Sequence, residues 1–168
     1  MDFKAHALYS LGRSRWFVEK QLEDFKKPSD WTYQPTPQAN HALWIVGHLG
    51  LADNMFASLF REASATKPDG FDECFWFGSE CKPEGNPAVD DVLAYYRERR
   101  ENLTNVLSEL SDAELAAAGP AEDAPSPIAG APNMGHLFLF AAEHEMNHAG
   151  QLSVCRRGLG NDPMFKPS

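Results

Sequence analysis

HLFLFAAEHEMNHAGQL, residues 136–152, combines a helical apolar stripe with two histidines four residues apart. Residues at that spacing on a helix differ by about 40° of azimuth and one turn of rise, so His144 and His148 project from one face and can share an ion. Leu137, Phe140, Ala141, Leu152 and Cys155 lie on or beside the same stripe. Both imidazoles are therefore expected where a helix buries apolar groups, and burial without a partner is costly.

One reading of such a pair is a set of core histidines satisfied by backbone or side-chain hydrogen bonds. The other is a pair of metal ligands, and a third histidine favours it. His48 falls within NHALWIVGHLGLADNMF, residues 40–56, with Trp44, Ile45, Leu51, Ala52, Met55, Phe56 and Leu59 as its helical neighbours. An ion held by His48, His144 and His148 would satisfy all three rings at once. Three neutral nitrogens suit Zn²⁺, Ni²⁺ or Fe²⁺ and leave coordination positions for water or substrate, the open arrangement of catalytic sites. The remaining histidines are weaker candidates. His41 stands at the start of its helix, where solvation is the expected fate, His136 is expected to line the bundle end or face water, and His6 has no evident partner.

HEMNH, residues 144–148, also spells the H-E-x-x-H signature of zinc peptidases. Those enzymes take their third ligand from a downstream Glu or His. Here the chain continues AGQLSVCRRGLGNDPMFKPS, with neither residue type in it. A peptidase is therefore disfavoured. Glu145, about 100° around the helix from His144, is read first as an exposed or interhelical carboxylate, with proton transfer as the alternative. A di-iron carboxylate bundle would need a second E-x-x-H pair, and the first three helices show none.

Outward from these segments, four long helices are expected. The first runs from Phe3 to about Phe25 on Leu8, Leu11, Val18, Leu22 and Phe25, a seam interrupted by Arg15. The second runs from a cap at Asn40 to about Arg61. Residues 62–87, with the aromatic cluster FWF at 75–77, read as a long ordered loop. Asn86-Pro87 opens a third helix reaching Leu110, and Ser111 with Glu114 has capping-box spacing for a short turn. After a loop over 118–132, Asn133 is expected to cap the last helix, which should end near Arg157 with Gly158 left-handed. The expected fold is all-α, a four-helix bundle with long connections after helix two and before helix four, forming one domain over residues 1–168.

Composition bounds the partners. Fifteen Lys and Arg against 24 Asp and Glu give a net charge of −9, which argues against nucleic acid as a partner. No segment approaches the roughly 20 apolar residues needed to cross a bilayer, and the amino terminus lacks a secretory pattern. No membrane association is therefore expected. Three cysteines at irregular spacing fit reduced thiols in a cytoplasmic protein, with Cys74 and Cys81 as loop packing residues and Cys155 as a buried structural residue.

The order and separation of NHALWIVGHLGLADNMF and HLFLFAAEHEMNHAGQL, the latter with an H-x-x-x-H-x-G-Q ending through Gly150 and Gln151, resemble the DinB-like (damage-inducible) superfamily of four-helix bundles. The resemblance covers nearly the whole chain. It implies His48, His144 and His148 as metal ligands. It also implies transfer or hydrolysis on a small electrophilic substrate, with a low-molecular-weight thiol as co-substrate, and association as a homodimer. The alternative is a noncatalytic metal-binding or stress-response module in which the ion staples helix two to helix four.

Overall fold

The computed structural model describes residues 2–124 and 128–165. Among them are four long helices, α1 (Phe3–Leu22), α3 (Ala42–Ser58), α5 (Val89–Glu109) and α7 (His136–Gly158), with short helices α2 (Pro28–Trp31), α4 (Phe71–Phe75) and α6 (Asp112–Ala116) between them. No strand is present among the described residues, and none of the helices there is long and apolar enough to cross a membrane.

Side-chain pairings fix the topology. Ser14 meets Glu145 and Gln21 meets Ala149, so α1 and α7 run parallel. Gly50 abuts Tyr95 and Asp53 meets Arg100, so α3 and α5 also run parallel. Glu19 meets Arg97 while Lys4 reaches the Leu110 carbonyl, making α1 and α5 antiparallel. Phe56 on Phe140 and His48 beside His144 make α3 and α7 antiparallel. The bundle is therefore up-down-down-up. Parallel neighbours cannot be joined by a tight turn, and so the α3–α5 connection must be long. As expected from the sequence, long connections follow α3 and precede α7; part of the expected loop at 118–132 lies outside the described residues.

The helix ends follow local chemistry, with several departures from expectation. Asp2 caps α1 by accepting from the Ala5 N–H. The first helix ends at Leu22, short of Phe25, and Pro28 at the first position starts the single turn of α2. His41, not Asn40, caps α3, and α5 starts two residues beyond Pro87, at Val89, with Asn86 bonding the Lys82 carbonyl instead. The expected loop at 62–87 contains a 3₁₀ turn (Glu62–Ser64) and α4. The Ser111–Glu114 capping box forms as the spacing predicts. Asn133 sits three residues before α7 and accepts from the His136 N–H. Gly158 remains helical, its missing side chain making room for Tyr33, which lies 2.7 Å from where a Cβ would stand, and the left-handed residue is Gly160, at φ 89°.

The interior has two apolar compartments. One gathers Val18, Leu22, Ile45, Leu49, Phe75, Tyr96 and Leu152, the other Leu11, Phe56, Leu103, Leu107, Leu137 and Phe138. Between them every long helix contributes polar residues at one level: Ser14 from α1, His48 and Asp53 from α3, Arg100 from α5, and His144, Glu145 and His148 from α7. All but the half-buried His144 are buried. Polar residues persist inside a core only when each finds a partner, so this layer is where the specific chemistry must lie.

Candidate metal centre

The three histidines expected to converge do so. His48 from α3 and His144 and His148 from α7 bring one ligand atom each to within 4.8 Å of one another. The Nε2 of His144 stands 3.3 Å from that of His48 and 3.2 Å from that of His148.

Partners on the far side of the rings decide which nitrogens are free. His48 Nδ1 lies 3.0 Å from the Phe75 carbonyl, which can only accept, so the hydrogen of the neutral ring sits on Nδ1 and Nε2 presents a lone pair. His148 Nδ1 is likewise engaged by Gln151 Oε1 at 3.0 Å. Two lone pairs thus point at the third imidazole, and a single N–H on His144 Nε2 could answer only one of them. Protonating the cluster is disfavoured. Burial, reinforced by the neighbouring His148 and His48 and by Arg100, pushes His144 down to about 3. Burial and His48 push His148 to about 4, and burial lowers His48 as well.

Converging lone pairs without protons are the donor set of a divalent cation, and the residues present fit one. A tetrahedral ion with nitrogen ligands at about 2.0–2.1 Å spaces those nitrogens roughly 3.3–3.4 Å apart, close to both short separations observed here. The second contacts match as well, since metal-ligating imidazoles characteristically hand their other N–H to a carbonyl or amide oxygen.

Aromatic rings and the α3–α5 connection hold the cluster in place. Trp44 stacks on His48 with centroids 4.8 Å apart and 12° between planes, and Phe140 stacks on His144 at 6.1 Å. The Trp44 indole donates to Ser79 Oγ, and that hydroxyl donates to the Cys74 carbonyl, binding the connection to the ligand helix. Phe75, buried against α3, is seated so closely that a Cβ on Gly47 would lie 2.4 Å from its ring. That seat delivers the Phe75 carbonyl to His48. Of the aromatic cluster, Phe75 is thus interior, whereas Trp76 and Phe77 are 40% and 83% exposed.

The other histidines take separate roles. His41 is fully buried, contrary to the expected solvation, because its Nδ1 accepts from the Trp44 N–H as a helix cap and its Nε2 donates to the Lys82 carbonyl. His136 bonds Asn133 at the start of α7, and His6 is exposed on α1. All three cysteines are free thiols; Cys155 is buried and donates to the Asn40 carbonyl, while Cys81 accepts from the His41 N–H.

Glu145 is interhelical and has no exposed surface. Its carboxylate accepts from Ser14 Oγ at 2.5 Å and from the Tyr96 hydroxyl at 2.8 Å, and pairs with Arg100 at 3.0 Å. Arg100 in turn grips Asp53 with two hydrogen bonds, at 2.7 and 3.0 Å. Arg15, the residue that breaks the α1 seam, lies over the Tyr96 ring at 3.6 Å and 3.8 Å from Glu145. Burial pushes the Asp53 carboxyl up to about 6 against the pull of Arg100. Burial, followed by the Glu145 charge, holds the Tyr96 hydroxyl well above its ordinary range. Sequence reasoning left Asp53, Tyr96 and Arg100 out of the site. The available signal was placement, since Arg100 follows Tyr96 by four residues on the buried stripe of α5.

Fold and site together define an all-α bundle with an inward-facing three-histidine cluster that could hold a metal ion. The sequence profile of the DinB superfamily matches residues 14–152, and the chain belongs to that superfamily. No curated protein matches it. A solved structure described as the conserved protein of locus from Enterococcus faecalis is similar at 14% identity, covering 96% of this chain and 99% of that one with a TM-score of 0.67, and supports the fold.

Proposed function

We propose that the protein is a metal-dependent enzyme in which His48, His144 and His148 hold a divalent ion that acts on a small electrophilic substrate, with a low-molecular-weight thiol or water as the attacking group. The observation that carries this reading is the convergence of three imidazole nitrogens with the opposite ring nitrogens of His48 and His148 anchored. A bound divalent ion stabilises thiolate or hydroxide near neutral pH and polarises a carbonyl.

The chain's own residues orient and shield. The Phe75 carbonyl and Gln151 set the ring planes, and Trp44 and Phe140 restrict their swing. His144, half-buried between two buried partners, marks the side on which the cluster meets solvent. Glu145 is ill-suited to proton transfer with a substrate, because it is sealed from solvent and both its oxygens are engaged.

The low exposure of His48 and His148, 7% and 6%, favours a second reading in which the ion chiefly staples α3 to α7. Metal analysis of the purified protein, with thiols and electrophiles screened against wild type and His48→Ala, separates the two. Metal loss in the variant together with loss of turnover supports the enzyme. Turnover that survives metal loss defeats it, and metal retention in the wild type without reactivity leaves the staple. We further take the active form to be a homodimer, supported by Tyr9, Trp16 and Val154 exposed on the α1 and α7 faces, and testable by light scattering on a sizing column.

A further inference from the structure

The Arg100 side chain links all four long helices. It projects from α5, holds Asp53 of α3 in a bidentate pair, meets Glu145 of α7 at 3.0 Å, and donates to the Leu11 carbonyl of α1 at 3.4 Å. Arg100 is 5% exposed, and its partners Asp53 and Glu145 are 2% and 0% exposed. The two carboxylates occupy informative positions. Glu145 is the residue after His144, and Asp53 follows His48 by five, about one and a half helical turns. Arg100 thus links the two helices that carry the histidines, α3 and α7, at the level of the cluster itself.

We propose that Arg100 is the positioning residue of the metal centre: by clamping Asp53 and Glu145 it sets the register of α3 against α7, so that the three imidazoles converge before an ion arrives. This inference rests on the metal-binding reading above. Its physical basis is directional. The apolar compartments on either side specify the register less sharply, because hydrophobic contacts have no preferred direction. A forked guanidinium between two buried carboxylates specifies it closely, since any slide leaves a desolvated charge unpaired. Arg15 adds a second cation beside Glu145, and the four groups Arg15, Arg100, Asp53 and Glu145 sum to zero charge. The layer is therefore self-neutralising and does not need the ion for its own balance. Ser14 and Tyr96 complete the carboxylate shell of Glu145. A network closed on itself specifies geometry, and the geometry it specifies here is the spacing of the two ligand helices.

The test uses the full chain with Co²⁺ as the probe, read by its visible absorption, and Zn²⁺ by competition. The variant D53N/R100M/E145Q removes the charges together while keeping side-chain volume, so no buried charge is left stranded, and the partly exposed Arg15 keeps its pairing with Glu19. The expected result is a folded protein with native helicity that binds Co²⁺ at least tenfold more weakly, with an altered absorption spectrum. Arg100→Lys, which keeps the charge but loses the fork, should fall between it and wild type. As a control, Leu107→Ala in the apolar compartment lowers stability and should leave the affinity and spectrum of the folded protein unchanged. Wild-type affinity and spectrum in the triple variant would overturn the proposal. Equal weakening by Leu107→Ala would overturn it too, since general stability would then account for the effect. If the triple variant fails to fold, Arg100→Lys carries the test, and unchanged Co²⁺ affinity and spectrum in that variant overturn the proposal. A wild-type protein that binds neither ion defeats the metal reading itself, a different outcome from a clamp that fails.

Discussion

The Nε2 atoms of His48 and His144, 96 residues apart in the chain, stand 3.3 Å apart between two antiparallel helices. The separation is too short for two bare lone pairs to be neighbours comfortably, and the His48 hydrogen is committed to the Phe75 carbonyl on the other side of its ring. The pair is set up for a cation, and burial disfavours the proton in that role.

Binding of an ion should therefore stabilise the fold. At a free concentration one hundred times its dissociation constant, an ion that binds only the folded state adds about 2.7 kcal/mol, which for a chain of this size raises Tm by roughly 5–10 °C. Calorimetry of chelator-treated protein with and without added Zn²⁺ measures the shift. His144→Ala should abolish it, and an undiminished shift in that variant would remove the cluster from consideration.

The pH dependence follows from the lowered histidines. A histidine whose folded pKa lies below its ordinary 6.5 stabilises the neutral, folded form above that value and loses the contribution as pH falls toward about 4 for His148 and about 3 for His144. Metal-free protein should accordingly lose stability steadily from pH 6.5 downward. Metal affinity should be far less sensitive. Three ordinary imidazoles would cost roughly four orders of magnitude in affinity between pH 7 and 5, whereas these, with only His48 able to contribute appreciably, should cost less than roughly thirtyfold. Calorimetric titration at the two pH values decides the matter.

Glu145→Ala leaves Arg100 ion-paired with Asp53 alone and strips Tyr96 of its acceptor inside the core, while Ser14 keeps only the Leu11 carbonyl. A loss of about 3–5 kcal/mol is expected on urea unfolding. A change under 1 kcal/mol would mean that the carboxylate contributes little to holding the bundle together.

Gly47→Ala drives a methyl group into the Phe75 ring, 2.4 Å from where its Cβ must stand. Overpacking of this kind costs about 1–3 kcal/mol, and the displaced Phe75 carbonyl should weaken metal affinity as well. Thermal melts paired with metal titration separate the two effects; Gly50→Ala, which crowds Tyr95 at 2.8 Å, should affect stability more than affinity.

The four long helices and the three converging histidines were legible in the chain because each depends on short-range spacing. Apolar residues at three and four residue steps define a buried stripe in any tertiary context, and a histidine on such a stripe demands a partner. Helix ends were less legible. His41 displaced Asn40 as a cap because its ring reaches the Trp44 N–H while the other ring nitrogen reaches the Lys82 carbonyl, and that second partner comes from a loop 41 residues away. The left-handed residue after α7 is Gly160, and Gly158 instead makes room for Tyr33, a residue of a distant connection.

Glu145 shows where local spacing runs out. Its azimuth on α7 leaves an exposed carboxylate and a buried one equally open, and the parallel pairing of α1 with α7 brings Ser14 to it while α5 supplies Tyr96 and Arg100. The sequence by itself determined the helices and the faces they bury, because backbone hydrogen bonding and apolar periodicity act within a few residues. Only the tertiary structure decided the up-down-down-up order and the charged layer beside the histidines, because a buried charge is tolerable only where partners from distant helices meet it, and those meetings are set by packing across the whole bundle.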